Sequence, residues 1–362
     1  MTRYRDLGLT VGDLPPGPLN SITDVEGVKV GYTTLVEGSD VRTGVTVVVP
    51  NEDVGRGPLF AGCHRLNGNG ELTGLEWVRE SGQLTTPIAI TNTHSVGVVR
   101  DALVAHDVSR HSKMRGAYWS LPVVGETWDG TLNDINGFHV RAEHLSAALA
   151  SATGGPVPEG NMGGGTGMIC HEFKGGTGTA SRRLAEDQEG FTVGALVQAN
   201  HGERSRLRVD GVPVGREIGP DAVPTPWEPS AGEVGSIIVV IATDAPLLPH
   251  QCERLAQRPG LGIARAGGAG AHSSGDLFIA FSTANRGRIR SYKDEGAPMT
   301  SEVAMLSDDA ITPLFWAAIE ATEEAILNAL VAAETMTGSG GVTAHAIPHD
   351  LLVEVMRRHG RA

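Results

Sequence analysis

The chain has 362 residues, 40% of them hydrophobic and 20% charged, with a formal net charge of −13. That balance predicts a globular protein with a sizeable core, as one large domain or two, and it disfavours both a nucleic-acid surface and binding to an anionic membrane, which need a basic face. Only 4% of residues are aromatic while 49 are glycine, so close packing has to come from small and branched aliphatic side chains. Cys63, Cys170 and Cys252 lie far apart with no CxxC pair, which points to reduced thiols in a cytoplasmic protein, not a disulfide framework or a structural zinc. The start, MTRYRDLGLTVGDLPPG, has no apolar core of a signal peptide, and no window approaches the length of a membrane span.

Apolar, β-rich runs recur along the chain. They predict strands over Val28–Val30, Val45–Val49, Pro87–Ile90, Phe191–Val197, Ile237–Ile241 and Leu277–Phe281. A helical pattern over Val98–His106 follows the third run, and another over Ala142–Ala152 reaches the Gly154–Gly155 pair, a fitting C-cap. Asn200 to Val234 is rich in charge, Gly and Pro, and predicts an exposed, mobile segment. Asp244–Ala245–Pro246 leads into a short helix that stops before Pro259–Gly260. Thr312–Pro313 reads as N-cap and N1 of a long helix whose apolar stripe (Ile319, Ile326, Leu327, Leu330, Val331) runs beside Glu320, Glu323 and Glu324. The order is not a clean strand–helix alternation. Helices covering sheets in a layered α/β arrangement fit it best.

Gly235–Ser236 is the most informative dipeptide, because it places a hydroxyl at the first position of a core strand. Gly and Ser commonly open a strand after a loop. They also suit a cleavage point: Gly235 leaves its carbonyl open to attack, and a freed Ser236 would carry an α-amine with a reference pKa of about 7.7–8.0 to act as its own base. HSSGD (His272–Asp276) sets a hydroxyl two residues before a carboxylate, either as a relay or as a polar turn. Asn200, in QANHG at a strand end, is a candidate donor to a developing oxyanion or a turn residue. GNMGGGTG (Gly160–Gly167) lacks the ending of a phosphate-binding loop and reads as a tight packing turn. His345 and His349 are separated by Pro348, and no HExxH-type spacing occurs, so neither a metal nor another cofactor is expected.

Taken in order, SITDVEGVKVGYTTL, RTGVTVVVP, LNGNGELTG, TNTHSVGVVRDA, ETWDGTLNDINGFHV, GNMGGGTGMICHEFKGGTGTASR, VGALVQANHG, GSIIVVIATDAPLLPHQCERLAQR and HSSGDLFIAFST resemble the DmpA-type aminopeptidase family. That family comprises the L-aminopeptidase/D-esterase/D-amidases and the β-peptidyl aminopeptidases. The resemblance implies a precursor that cuts itself before Ser236, giving α (1–235) and β (236–362) chains that together form one αββα sandwich domain, assembled as a homotetramer. It assigns the nucleophile to Ser236, support of its amine or hydroxyl to Ser274 and Asp276, the oxyanion donor to Asn200, and the receiver of the substrate's free amine to Glu126. A carboxylate at that position makes physical sense, since a desolvated ammonium needs a countercharge. The substrate would be a small peptide, amide or ester with a free N-terminal amine. One departure stands out: relatives written ETYDG carry a tyrosine where this chain has Trp128, whose indole offers one N–H and no acid–base function. Trp128 is expected to wall the amine pocket. Two other readings stay open: an acyltransferase of the ornithine acetyltransferase type, which uses Thr at the cut, and a catalytically silent binding protein on the same fold.

Overall fold

The computed structural model describes residues 1–111, 118–227, 235–289 and 298–361. In chain order, the first half runs β1 (Lys29–Glu37), β2 (Val41–Val49), β3 (Leu59–Gly68), α1 (Leu75–Ser81), β4 (Gln83–Leu84), β5 (Ile88–Asn92), α2 (Val96–Arg110), β6 (Val123–Thr127) and α3 (Ala142–Ala150). A small hairpin of β7 (Ile169–Cys170) and β8 (Phe173–Lys174) opens the second half. There follow β9 (Gly176–Arg183), β10 (Thr192–Asn200), α4 (Val214–Glu217), β11 (Ser236–Thr243), α5 (Pro249–Ala256), α6 (Pro259–Ala266), β12 (Gly275–Ser282) and α7 (Thr312–Val331). The pair β13 (Met336–Thr337) and β14 (Thr343–Ala344) precedes α8 (His349–Arg358).

These elements form four layers. One sheet has the order β1-β2-β5-β6 and the other β4-β3-β12-β11-β10-β9. Three apolar clusters correspond to the three gaps between layers. Val47, Ala89 and Val124 of the first sheet pack with Val99 and Leu103 of α2 and Leu145 of α3. Val48, Ile90 and Val123 meet Ile238, Val240 and Ile279 between the sheets. On the far face, Ile237, Val239 and Ile241 join Leu255 of α5, Ile263 of α6 and Ile326 of α7. Alternate residues of β11 therefore enter different cores, which is why that strand is apolar throughout. The expected αββα sandwich is what the chain forms.

The strands and helices extend the sequence expectations and correct several details. β3, β6 and β9 were not anticipated. The helix from Ala142 ends at Ala150 and is capped by Ser151, short of Gly154. Ile311, not Thr312, is the N-cap of α7, with Pro313 in its first turn. Two helices, α5 and α6, follow the Ser236 strand in place of one. The stretch from Asn200 is not loose as far as Trp227: Leu207, Val209, Val212, Val214, Ile218 and Val223 are buried in the outer core. Arg204 is buried there too, its guanidinium over the Phe173 ring and its N–H groups on the carbonyls of His171, Glu172, Ile218 and Val223. Residues 228–234 lie outside the described residues.

Helix α7 shows how an acidic stripe becomes interior. Glu320, Glu323 and Glu324 are all buried. Fully buried Arg182 of β9 bridges Glu320 at 3.1 Å and Glu324 at 2.7 Å, Arg5 reaches Glu324 at 2.7 Å, and Arg265 reaches Glu323 at 2.5 Å. Burial pushes the Glu324 carboxyl up, but Arg5 and Arg182 outweigh it and hold it below the ordinary carboxylate range. A helix this close to the sheet needs small residues beneath it. A Cβ on Gly178 of β9 would run into the carbonyl of Ala325. Replacing Arg182 by Ala removes a cation shared by two buried carboxylates, of which Glu324 keeps Arg5 and Glu320 keeps the N–H groups of Asp13 and Leu14, so Arg182→Ala should destabilise the fold by about 3 kcal/mol, the lower end for a broken buried pair. Urea unfolding of the variant checks this, and an unchanged midpoint would mean that the network contributes nothing net.

Candidate active site

Ser236 begins β11, a central strand of the larger sheet. Its neighbours fix its surroundings: it lies opposite Asn200 in the antiparallel ladder with β10 and opposite Gly275 in the parallel ladder with β12. Directly paired residues share a face of the sheet, so Asn200 and Ser236 are brought together by register alone. The Ser236 hydroxyl accepts the Gly275 N–H at 3.0 Å. Gly235 is the only residue type that fits before it, since a Cβ there would collide with the Asn200 carbonyl and the His201 backbone.

Ser274 and Asp276 flank Gly275. The Ser274 hydroxyl donates to Asp276 Oδ1 at 2.6 Å, and the carboxylate also accepts the Ile237 N–H, one residue beyond Ser236. Burial pushes the Asp276 carboxyl up against the pull of those two bonds. Its second oxygen, Oδ2, is buried with no partner among the described residues. Among them, neither Ser274 nor Asp276 bonds Ser236 directly; Gly275 is the link. The pair is thus tied to the start of the Ser236 strand through Gly275 and Ile237.

Asn200 is buried, and its amide has a single possible orientation. Its Oδ1 accepts the Ile169 N–H at 2.8 Å and its Nδ2 donates to the Trp128 carbonyl at 2.9 Å. Since a backbone N–H can only donate and a carbonyl only accept, the two partners fix which end is which. One N–H of the amide is spent on Trp128, and the other has no partner among the described residues.

Glu126, near the end of β6, is buried across the gap between the sheets. It accepts the Glu71 N–H at 2.8 Å and the Thr93 hydroxyl. Burial pushes its carboxyl up, opposed by those bonds, and among the described residues no Lys or Arg pairs with it. Gly70 marks its proximity to the serine: a Cβ on Gly70 would meet both Glu126 Oε1, at 2.9 Å, and Gly275 Cα, at 3.1 Å. Trp128 remains 41% exposed, with its ring over Gly130.

Sequence reasoning left out the residues that hold this site in place. Thr93 orients Glu126. Asn67, near the end of β3, and Asn69, in the turn after it, donate to the carbonyls of Ala271, Ser273 and Ser274 and so fix the HSSGD loop. The NGNG and TNTHS motifs held the signal, since an Asn-rich turn close to a second polar loop offers donors to its backbone. GNMGGGTG is a packing turn, with the amides of Gly163 and Gly164 bonded to Thr34 and Thr46. The fold also gathers Cys170, His171 and His201, buried, with donor atoms within 4.8 Å of one another. Linear spacing gave no sign of this cluster, and it is one protein ligand short of a closed tetrahedral set.

Comparison with known proteins agrees with this fold. A "Beta-peptidyl aminopeptidase BapA" from Sphingosinicella microcystinivorans is 49% identical, covering 99% of this chain and 93% of the relative. Another, from Sphingosinicella xenopeptidilytica, is 42% identical over 98% of this chain and 91% of its own. The solved structure of a Burkholderia sp. beta-aminopeptidase superposes with a TM-score of 0.91 at 54% identity, covering 99% of both chains. That of the L-aminopeptidase D-Ala-esterase/amidase from Ochrobactrum anthropi, described as a new variant among the Ntn hydrolase fold, does so with 0.91 at 44% identity, covering 100% of this chain and 99% of that one. These relatives are aminopeptidases and do not favour the acyltransferase or silent-binder readings. The pattern of peptidase family S58 matches residues 20–344, and the chain belongs to that family.

Proposed function

We propose that the chain matures by cutting itself before Ser236 and then works as a serine aminopeptidase of the N-terminal-nucleophile type. The Ser236 hydroxyl adds to the Gly235 carbonyl, the C–N bond breaks to leave an ester, and water releases chains 1–235 and 236–362. The freed amine of Ser236 then takes the hydroxyl proton as the same oxygen attacks a substrate carbonyl. Asn200 donates to the oxyanion, and the Ser274–Asp276 pair orients the new amine. Glu126 receives the ammonium of the substrate, and Trp128 walls that pocket. No cofactor enters these steps.

The observation that carries this reading is the juxtaposition of Glu126, a buried carboxylate with no Lys or Arg partner among the described residues, with the Ser236–Gly275 junction across Gly70. A site of that kind is incomplete until a positive group enters it. The relatives named for β-peptidyl substrates support extending the substrate class to peptides and amides that begin with a β-amino acid. A tetramer of α/β heterodimers follows from the family resemblance, and a cytoplasmic location from three unpaired, buried cysteines. None of the described helices is long and apolar enough to cross a membrane.

The test is turnover of p-nitroanilides of L-alanine and β-alanine beside their N-acetylated forms. Free-amine substrates should be cleaved and the acetylated ones left intact; equal rates would overturn the reading. In the same assay Glu126→Gln should lower kcat/KM by about thirtyfold or more, the cost of leaving a desolvated charge without its partner. Self-cleavage involves no ammonium and should survive. Equal loss of both would assign Glu126 a purely structural role.

A further inference from the structure

Lys174 is the least expected charge in the molecule. It is fully buried at the end of β8, and among the described residues its ammonium meets no carboxylate. It donates instead to three backbone carbonyls: Gly175 at 2.8 Å, Met168 at 2.9 Å and Gly165 at 3.5 Å. Desolvation lowers its pKa to about 7, with only the Cys170 thiol pulling the other way. An ammonium held this way, on carbonyls and without a countercharge among the described residues, is costly to bury.

The Met168 carbonyl and the Ile169 N–H belong to one peptide unit. Lys174 Nζ grips that unit at its oxygen, and Asn200 Oδ1 accepts from its nitrogen. The chain of bonds thus runs from the ammonium, through the 168–169 peptide, to the side-chain amide opposite Ser236. Each bond polarises the next in the same sense, since a cation on the carbonyl makes the N–H a stronger donor, and donation to Oδ1 makes the Nδ2 hydrogens more positive.

We propose that Lys174 is a positioning residue for the reaction: acting through the Met168–Ile169 peptide, it fixes and polarises the Asn200 amide so that Nδ2 faces the developing oxyanion. This rests on the assignment of Asn200 as oxyanion donor. Lys174 never touches the substrate. Its contribution belongs to the transition state, where charge develops, so it should appear in kcat and leave KM nearly unchanged.

A double-mutant cycle tests this, with rates expressed per mole of cut chain as measured by intact mass. Lys174→Gln keeps a donor without the charge. It should lower kcat about tenfold with KM within about twofold, less than the loss from removing an oxyanion donor outright. In the Asn200→Ala background the same substitution should change kcat by less than about twofold, because the group it acts through is gone. Equal losses in both backgrounds would overturn the inference and leave Lys174 as a loop anchor. If Asn200→Ala alone leaves kcat unchanged, the oxyanion assignment falls and the inference with it. Lys174→Met, which keeps the volume, is the second variant through the same cycle should Lys174→Gln fail to fold.

Discussion

Ser236→Ala should remain a single chain of 37.8 kDa and show no aminopeptidase activity. Both outcomes have one cause. The hydroxyl that would attack the Gly235 carbonyl is the one that would attack the substrate, and removing it removes both reactions. The substitution is mild for the fold, because the Ser236 hydroxyl has a single described partner, the Gly275 N–H at the end of a ladder. A loss of cleavage with an unchanged melting curve would therefore be chemical, not structural. If the variant is still split at the same bond, an outside protease makes the cut and the self-processing mechanism fails.

Asn200→Ala should lower kcat by about 100- to 1,000-fold, the usual cost of one oxyanion donor. Register places the amide directly opposite Ser236, and its orientation is fixed by Ile169 and Trp128. The deletion also strands the buried Ile169 N–H, so some loss of stability will accompany it. The two effects separate by readout: a melting shift reports the stranded donor, whereas a fall in kcat of the folded, cut protein at near-constant KM reports the oxyanion. A kcat within about twofold of wild type would remove Asn200 from the mechanism.

The strands that carry Ser236 and Asp276 were legible in the sequence because both are buried on both faces and read as unbroken apolar runs. Ser274 and Asp276 were legible as a pair because an i, i+2 hydroxyl and carboxylate need no tertiary knowledge to meet. Strand β9 was not, because GTGTASRR is polar although nearly all of it is buried. Thr177, Thr179 and Ser181 bond to Met162, Ala195 and Asp24, and Arg182 to α7. Those partners lie far away in sequence, and no local pattern announces them. The burial of the acidic stripe of α7 was hidden for the same reason, as its countercharges come from Arg5, Arg182 and Arg265 on three separate segments. The apolar residues between Leu207 and Val223 are too scattered among Gly, Pro and charge to show a period, yet all reach the outer core. Lys174 in HEFKGG reads locally as a solvated charge. Only the closing of the β7–β8 hairpin on the glycine turn shows that it is buried and bonded to backbone carbonyls.

The mechanism stands on a broken bond before Ser236 that frees the serine amine, and intact-mass measurement of the purified, denatured chain reads that bond. The account predicts two species of about 24 and 13 kDa, in proportion to residues 1–235 and 236–362, with the smaller beginning at Ser236. A single species of 37.8 kDa from protein that hydrolyses free-amine substrates would contradict it, since the hydroxyl would then be working without the amine assigned as its base.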